Sequence, residues 1–277
     1  MRVAIIFFGI ARGLERTVGS IRRNLYDCNA GDGIVFHTIA SLNLVATVDN
    51  PRNGEVAVPL DPRDAFLLDA DTYALVRQDD AAIAAALAAA MAQRDLFGND
   101  WISVRNALHQ LAALRRAWRL CADGLHGRFD YVLFARPDLI YLDEIRIAAI
   151  VESFRGQGNV ALPAWQCHGP GFNDRFALAD AGAARAYAER LDLVPEYCAR
   201  RAFHPEHFLS YALAQGHTKV CKLPTTAQRV RANGNVVAED FGAFVVDLPA
   251  TPRGFTLAPA GVRWTEEPAA APRAQVA

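Results

Sequence analysis

Phe129-Asp130-Tyr131-Val132-Leu133-Phe134-Ala135-Arg136-Pro137-Asp138-Leu139-Ile140-Tyr141 is a hydrophobic, β-favouring run that ends in an arginine, a proline and an aspartate, then turns apolar again. A buried strand that delivers charged groups at its carboxyl end is the usual way an α/β sheet builds a binding site. Pro137 has no amide hydrogen for a ladder and pushes the preceding residue toward extended geometry. The sheet is therefore expected to stop here, with Asp138 projecting from a turn. Charges so placed must be solvated, paired or used, which makes Arg136 and Asp138 the centre of the candidate site.

Working outward, residues 2–8 read as a first strand, punctuated by Gly9 and Gly13. Val18, Ile21 and Leu25 then recur at helical spacing within 17–26. Residues 33–39 are a second strand, 42–63 a loop with one edge strand near 56–58, and 72–76 a further strand. Alanine-saturated 81–91 is helical by propensity. Residues 103–121 carry Leu108, Leu111, Leu114, Ala117, Trp118 and Cys121 as an apolar stripe, with Arg105, Arg115, Arg116 and Arg119 off it as a solvated face. After the central strand come a helix over 145–155, a short strand at 159–162 and an apolar run at 176–179 with a helix through Leu191. A helix over 204–215 and late strands at 219–222 and 227–231 complete the pattern. The alternation predicts one α/β domain over residues 1–247, with a central, mostly parallel sheet flanked by helices. Residues 248–277, rich in proline and alanine and lacking periodicity, are expected to be a mobile tail.

The 277 residues are enough for a large core, and a formal net charge of −1 argues against a nucleic-acid footprint. The apolar start, Met1 to Gly9, is too short for a membrane span and lacks a convincing cleavage site, so a buried first strand fits it better. No transmembrane segment is expected. Five scattered cysteines without a Cys-x-x-Cys pair suggest neither a disulfide framework nor a zinc site, and suit a reducing cytoplasm.

Several short motifs, taken in order, carry a resemblance. They are Gly9-x-x-Arg12 after the first strand, Asn106-Ala-Leu-His-Gln110 through Trp118 on the helix before the Phe-Asp-Tyr-Val strand, and Arg136-Pro-Asp138. Gly-Phe-Asn-Asp-Arg-Phe-Ala-Leu-Ala at 171–179 and Pro205-Glu206-His-Phe-Leu209 follow. Over roughly residues 3–222 this arrangement resembles bacterial and viral glycosyltransferase-like proteins of the GT-A (nucleotide-diphospho-sugar transferase) fold, linked to surface polysaccharide synthesis. The resemblance implies a nucleotide-sugar donor and a glycan or other hydroxyl acceptor. Gly9 and Arg12 would sit under the nucleotide diphosphate. Asp138 would stand where the last aspartate of the GT-A Asp-x-Asp metal motif stands. Asn173, Asp174 and Arg175 would line the sugar and acceptor side, with Glu206 nearby.

The chain departs from that pattern at one decisive place, because the first aspartate of Asp-x-Asp is Arg136. A cation cannot ligate Mg²⁺ or Mn²⁺. Either Asp138 holds a divalent cation with water and phosphate oxygens, or Arg136 clamps the leaving diphosphate through its planar fork. Asp174 or Glu206 would accept the acceptor hydroxyl proton. Plainer roles stand beside each of these. Arg136 and Asp138 could be a structural ion pair, Asn173 an Asx turn, and Glu206 a carboxylate favouring a helix dipole. Asn106 and Gln110 read better as bridging residues, His37 as partly buried, and His204 with His207 as surface or capping residues. Trp165 with Cys167 and His168 suggests an acceptor-binding loop. Two rival functions follow: a catalytically degenerate GT-A-fold binding protein, and a metal-dependent nucleotidyltransferase or phosphoesterase, which needs a carboxylate cluster.

Overall fold

The computed structural model describes residues 1–241 except 126–128, 155, 157 and 168, together with the backbone of 255–258 and 261–264. In chain order the elements are β1 (Arg2–Gly9), α1 (Leu14–Ile21), β2 (Val35–Leu44), β3 (Thr47–Asn50), β4 (Glu55–Pro59), β5 (Thr72–Arg77), α2 (Ala84–Met91) and α3 (Ile102–Leu125). Then follow β6 (Tyr131–Ala135), β7 (Leu139–Tyr141), α4 (Ile147–Glu152), β8 (Asn159–Pro163), β9 (Phe176–Asp180) and α5 (Ala181–Ala188). The last are α6 (Val194–Cys198), α7 (Pro205–Gln215), β10 (Lys219–Leu223), β11 (Ala227–Arg229), β12 (Phe255–Ala258) and β13 (Gly261–Trp264).

The central sheet runs β10-β8-β9-β6-β1-β2-β5. β9 is antiparallel to both β6 and β8, and every other neighbouring pair among these seven strands is parallel. This is the α/β architecture expected, with a mostly parallel sheet between helices. β12 and β13 pair antiparallel beyond β10. They are the only described part of the expected tail; the rest of 248–277 lies outside the described residues.

β1 shows why the sheet is central. Val3, Ile5 and Phe7 face one apolar cluster and Ala4, Ile6 and Phe8 the other, all six fully buried. A strand buried on both faces reads as a continuous apolar run, which is what Val3–Phe8 is. On one face lie α2, α3, α5, α6 and α7, with Leu108, Leu111, Leu114, Ala117 and Cys121 of α3 forming the buried stripe. On the other lie α1 and α4, with Leu14, Ile21 and Ile147 packed under the sheet.

Four expectations need correction, and two share a cause. β2 continues past Ile39 to Leu44, and Ser41 and Asn43 on it are buried polar residues. Their partner is Arg116, whose Nε donates to Ser41 Oγ and whose Nη2 donates to Asn43 Oδ1, both at 2.9 Å. Arg116 is therefore not part of a solvated face: it lets a polar strand end be buried, and desolvation lowers its pKa. The expected 145–155 helix contracts to α4, because Asn29 captures its entrance. The Asn29 side chain accepts from Ile147 N at 2.8 Å and donates to Ile145 O at 2.9 Å. The loop at 42–63 holds two paired strands, β3 and β4, rather than one.

Asp180 closes β9 and opens α5. Its Oδ1 accepts from Ala183 N at 2.9 Å as an N-cap, and its Oδ2 accepts from Asn159 N at 2.8 Å. Asp180→Ala removes a cap and orphans a buried amide, so it should cost about 1–3 kcal/mol. Urea unfolding monitored by circular dichroism should show a lower midpoint with an unchanged slope.

Candidate functional site

The sheet changes direction of growth at β1. β2 and β5 lie to one side of it and β6 to the other, so the loops after β1 and β6 flank a topological switch point, where open α/β sheets form clefts. Gly9 to Gly13 occupies the first loop and Arg136 to Asp138 the second. Gly9 has φ +112°, a conformation L side chains rarely adopt, while a Cβ there would only touch Gln110 at 4.0 Å. Its requirement is conformational. Gly13 (φ +61°) is constrained twice, since a Cβ would come within 2.6 Å of Val230.

The Asp138 carboxylate joins the two loops. Its Oδ2 accepts from Arg12 Nε at 3.0 Å, Arg12 Nη2 at 2.7 Å and Arg136 Nη2 at 2.7 Å, and its Oδ1 accepts from Arg136 Nε at 2.9 Å. Burial alone would raise its pKa, but the two guanidinium groups hold it well below the usual carboxylate range. Burial would likewise lower Arg136, and Asp138 reverses that. The turn is braced from outside: Thr17 Oγ1 donates to Pro137 O at 2.7 Å, and Val230 N donates to Asp138 O at 2.8 Å.

Two further carboxylates extend the lattice. Glu55, fully buried on β4, accepts from Arg12 Nη1 at 3.4 Å and from Ala232 N at 2.7 Å, with Arg231 Nη1 3.8 Å from its second oxygen. Glu239 accepts from Arg229 Nε at 2.8 Å, Arg175 Nη2 at 3.2 Å and Gln166 Nε2. The Arg175 guanidinium carbon lies over the Trp165 ring, 4.8 Å from its centroid. Burial, with Arg229 beside it, lowers the Arg175 pKa to about 10; burial, with Arg229 and Arg12, lowers that of Arg231 to about 10.

Arg12, Arg136, Asp138, Arg175, Arg229 and Arg231 line one cleft of about 1630 Å³, which also takes in Asp174, Glu206, Asn106 and Gln110. Of the expected site residues, Gly9, Arg12, Arg136, Asp138, Asp174 and Glu206 all line it. Asn173 does not. It is fully buried, donating from Nδ2 to Trp165 O at 2.8 Å and accepting from Arg175 N at 3.0 Å, which is the Asx turn. Trp165 and Cys167 are buried too, the indole donating to Thr225 O at 2.8 Å, so they form a packed support; His168 lies outside the described residues. Asp174 is half-buried beyond that turn, and Glu206 is in the first turn of α7.

Asp138 does not suit a metal. Both of its oxygens are committed to guanidinium groups, and two cations at hydrogen-bond distance oppose a third. Among the described residues no group of three or more His, Cys, Asp or Glu could hold a metal ion. Sequence reasoning missed Glu55, Glu239, Arg229 and Arg231. Arg229-Val230-Arg231 had the signal, an alternation that puts both arginines on one side of a late strand. Neither protein-family models nor curated proteins give a match to this chain. Among the described residues no helix is long and apolar enough to cross a membrane.

Asp138→Ala leaves two buried guanidinium groups facing each other and should cost about 3–5 kcal/mol. The carboxyl's folded pKa is depressed, so its stabilisation is complete above the unfolded value, about 3.9, and is lost as pH falls. Wild type should lose stability progressively below about pH 5. Denaturant titrations of Asp138→Asn should be both less stable near neutrality and flatter across that range.

Proposed function

We propose that the protein transfers a sugar from a nucleotide-diphosphate donor to a glycan or other hydroxyl acceptor, as the resemblance to GT-A glycosyltransferases implies. The observation that carries this reading is the charge of the cleft. Arg12, Arg136, Arg175, Arg229 and Arg231 gather at the switch point of the sheet in a chain whose net charge is −1. They outnumber Asp138, Glu55 and Glu239, the carboxylates they pair with, which suits a diphosphate. The cleft is larger than the roughly 300–1,000 Å³ typical of a single small ligand, leaving space for donor and acceptor together.

In this reading the bond between the sugar's anomeric carbon and the diphosphate oxygen breaks, and the bonding pair leaves with the diphosphate. The Arg12 and Arg136 guanidinium groups, preset by Asp138, stabilise the growing negative charge. The acceptor oxygen bonds to the anomeric carbon, and its proton passes to a carboxylate. Asp174 is the preferred acceptor of that proton, since it lies near enough to Arg136 and Arg175 to influence the ionisation of both. Glu206 is the alternative. Asp138 acts on this chemistry only by orienting the arginines. No step runs through a metal. The nucleotidyltransferase or phosphoesterase reading finds no carboxylate cluster to support it among the described residues. The non-catalytic binding reading shares the same donor site and differs only in turnover.

Calorimetric titration with UDP, GDP, CDP and dTDP should show micromolar binding of one diphosphate, equal in Mn²⁺ and in EDTA. Binding that requires the metal would restore Asp138 as a ligand, and no binding at all would end the donor-site reading. Arg136→Gln should weaken that diphosphate about 10- to 100-fold. Asp174→Asn should keep donor binding and lose turnover by about a hundredfold or more. Surviving turnover would transfer the role to Glu206.

A further inference from the structure

The arginines of the cleft fall into two groups that differ in kind. Arg12, Arg136, Arg175, Arg229 and Arg231 are all paired with buried carboxylates. Arg94, Arg200 and Arg201 line the same cleft, are exposed, and form no ion pair among the described residues. They come from two segments held side by side: Gln93 Nε2, beyond α2, donates to Cys198 O at the end of α6 at 2.8 Å. Aromatic rings floor this wall. Tyr197 and Tyr211 line the cleft with their centroids 5.3 Å apart, and Arg201 lies 5.9 Å from the Tyr197 ring centroid. Carboxylates near this wall include Glu206, in the cleft lining, Glu196, which accepts from Tyr211 OH at 2.6 Å, and Asp95 next to Arg94, which accepts from the amides of Phe97, Asn99 and Trp101.

Three exposed guanidinium groups on adjoining segments, without an ion-pair partner among the described residues, present a cationic patch to the cleft that is open to an anionic ligand. The donor diphosphate is already served by the paired group at the switch point. We infer that the α2/α6 wall is a second subsite, and that it takes an acidic glycan. A sugar ring lies on Tyr211, which buried Tyr197 supports from within, and carboxylate or phosphate substituents meet Arg94, Arg200 and Arg201. Planar guanidinium forks pair bidentately with such groups, and a tyrosine face suits a sugar ring. This rests on the proposed function for the acceptor's role, while the binding itself is independent of it.

The test is binding of three acidic probes, tetragalacturonate, an α2,8-linked sialic acid trimer and a glycerol-phosphate oligomer, at low and moderate salt. Methyl-esterified tetragalacturonate serves as the neutral counterpart. At least one acidic probe should bind, more weakly as salt rises, with the methyl ester at least tenfold weaker. The triple variant Arg94→Ala, Arg200→Ala, Arg201→Ala should lose about tenfold or more of that affinity while keeping nucleoside diphosphate binding and its melting temperature. Failure of all three probes to exceed the neutral ester, or binding indifferent to the triple variant, overturns the subsite. Diphosphate binding without acidic-glycan binding would overturn the subsite alone; the reverse would overturn the donor reading alone.

Discussion

One buried carboxylate holds the centre of this structure together. Asp138 draws Arg12 from the loop after β1 and Arg136 from its own turn, 126 and two residues away in the chain. Its own desolvation is unfavourable, and so is that of each guanidinium group; the arrangement is stable only because all three are hydrogen-bonded at once. The turn that carries it is fixed by Thr17 and Val230. Arg12 and Arg136 are therefore fixed in place before any ligand arrives, which lowers the cost of binding an anion.

The rest of the cleft follows from the same device repeated. Glu55 and Glu239 each bring together arginines from distant parts of the chain, so that the cationic inner wall is tolerated by the fold. The Arg94, Arg200 and Arg201 wall has no such internal counterweight. A protein with a net charge of −1 thus separates its charge strongly, concentrating cations where two strands of opposite crossover sense meet.

Much of this was legible beforehand. The apolar run at 129–135 and the proline after it located both the strand end and the turn, because burial on both faces leaves an unbroken hydrophobic signature. Arg136 and Asp138 stand out by their position at a strand end, and Arg12 through the resemblance alone. What could not be read was pairing over long distances. Nothing local in Glu55 or Glu239 distinguishes a buried bridge from a surface carboxylate, and Ser41 and Asn43 look like loop residues until Arg116 covers them. Asn173 illustrates the converse: a short polar motif suggested ligand contact, and local Asx geometry turned the side chain inward.

The arginine–carboxylate lattice also has a consequence in time. Glu55 reaches across to Ala232 and Arg231, and Arg175 to Glu239, while β1 at the amino end cannot complete its pairing until β6 has been made. Such non-local contacts form late and slowly. As the chain leaves the ribosome, β1, β2 and β5 can associate early, and Arg12 and Arg136 meet their carboxylates once Asp138 is made, but Arg175 waits for Glu239 to emerge. The nascent protein would therefore pass through an interval in which Arg175 stands without its carboxylate and Glu55 without Ala232 and Arg231, a cleft completed only by nearly the last described turn of the chain.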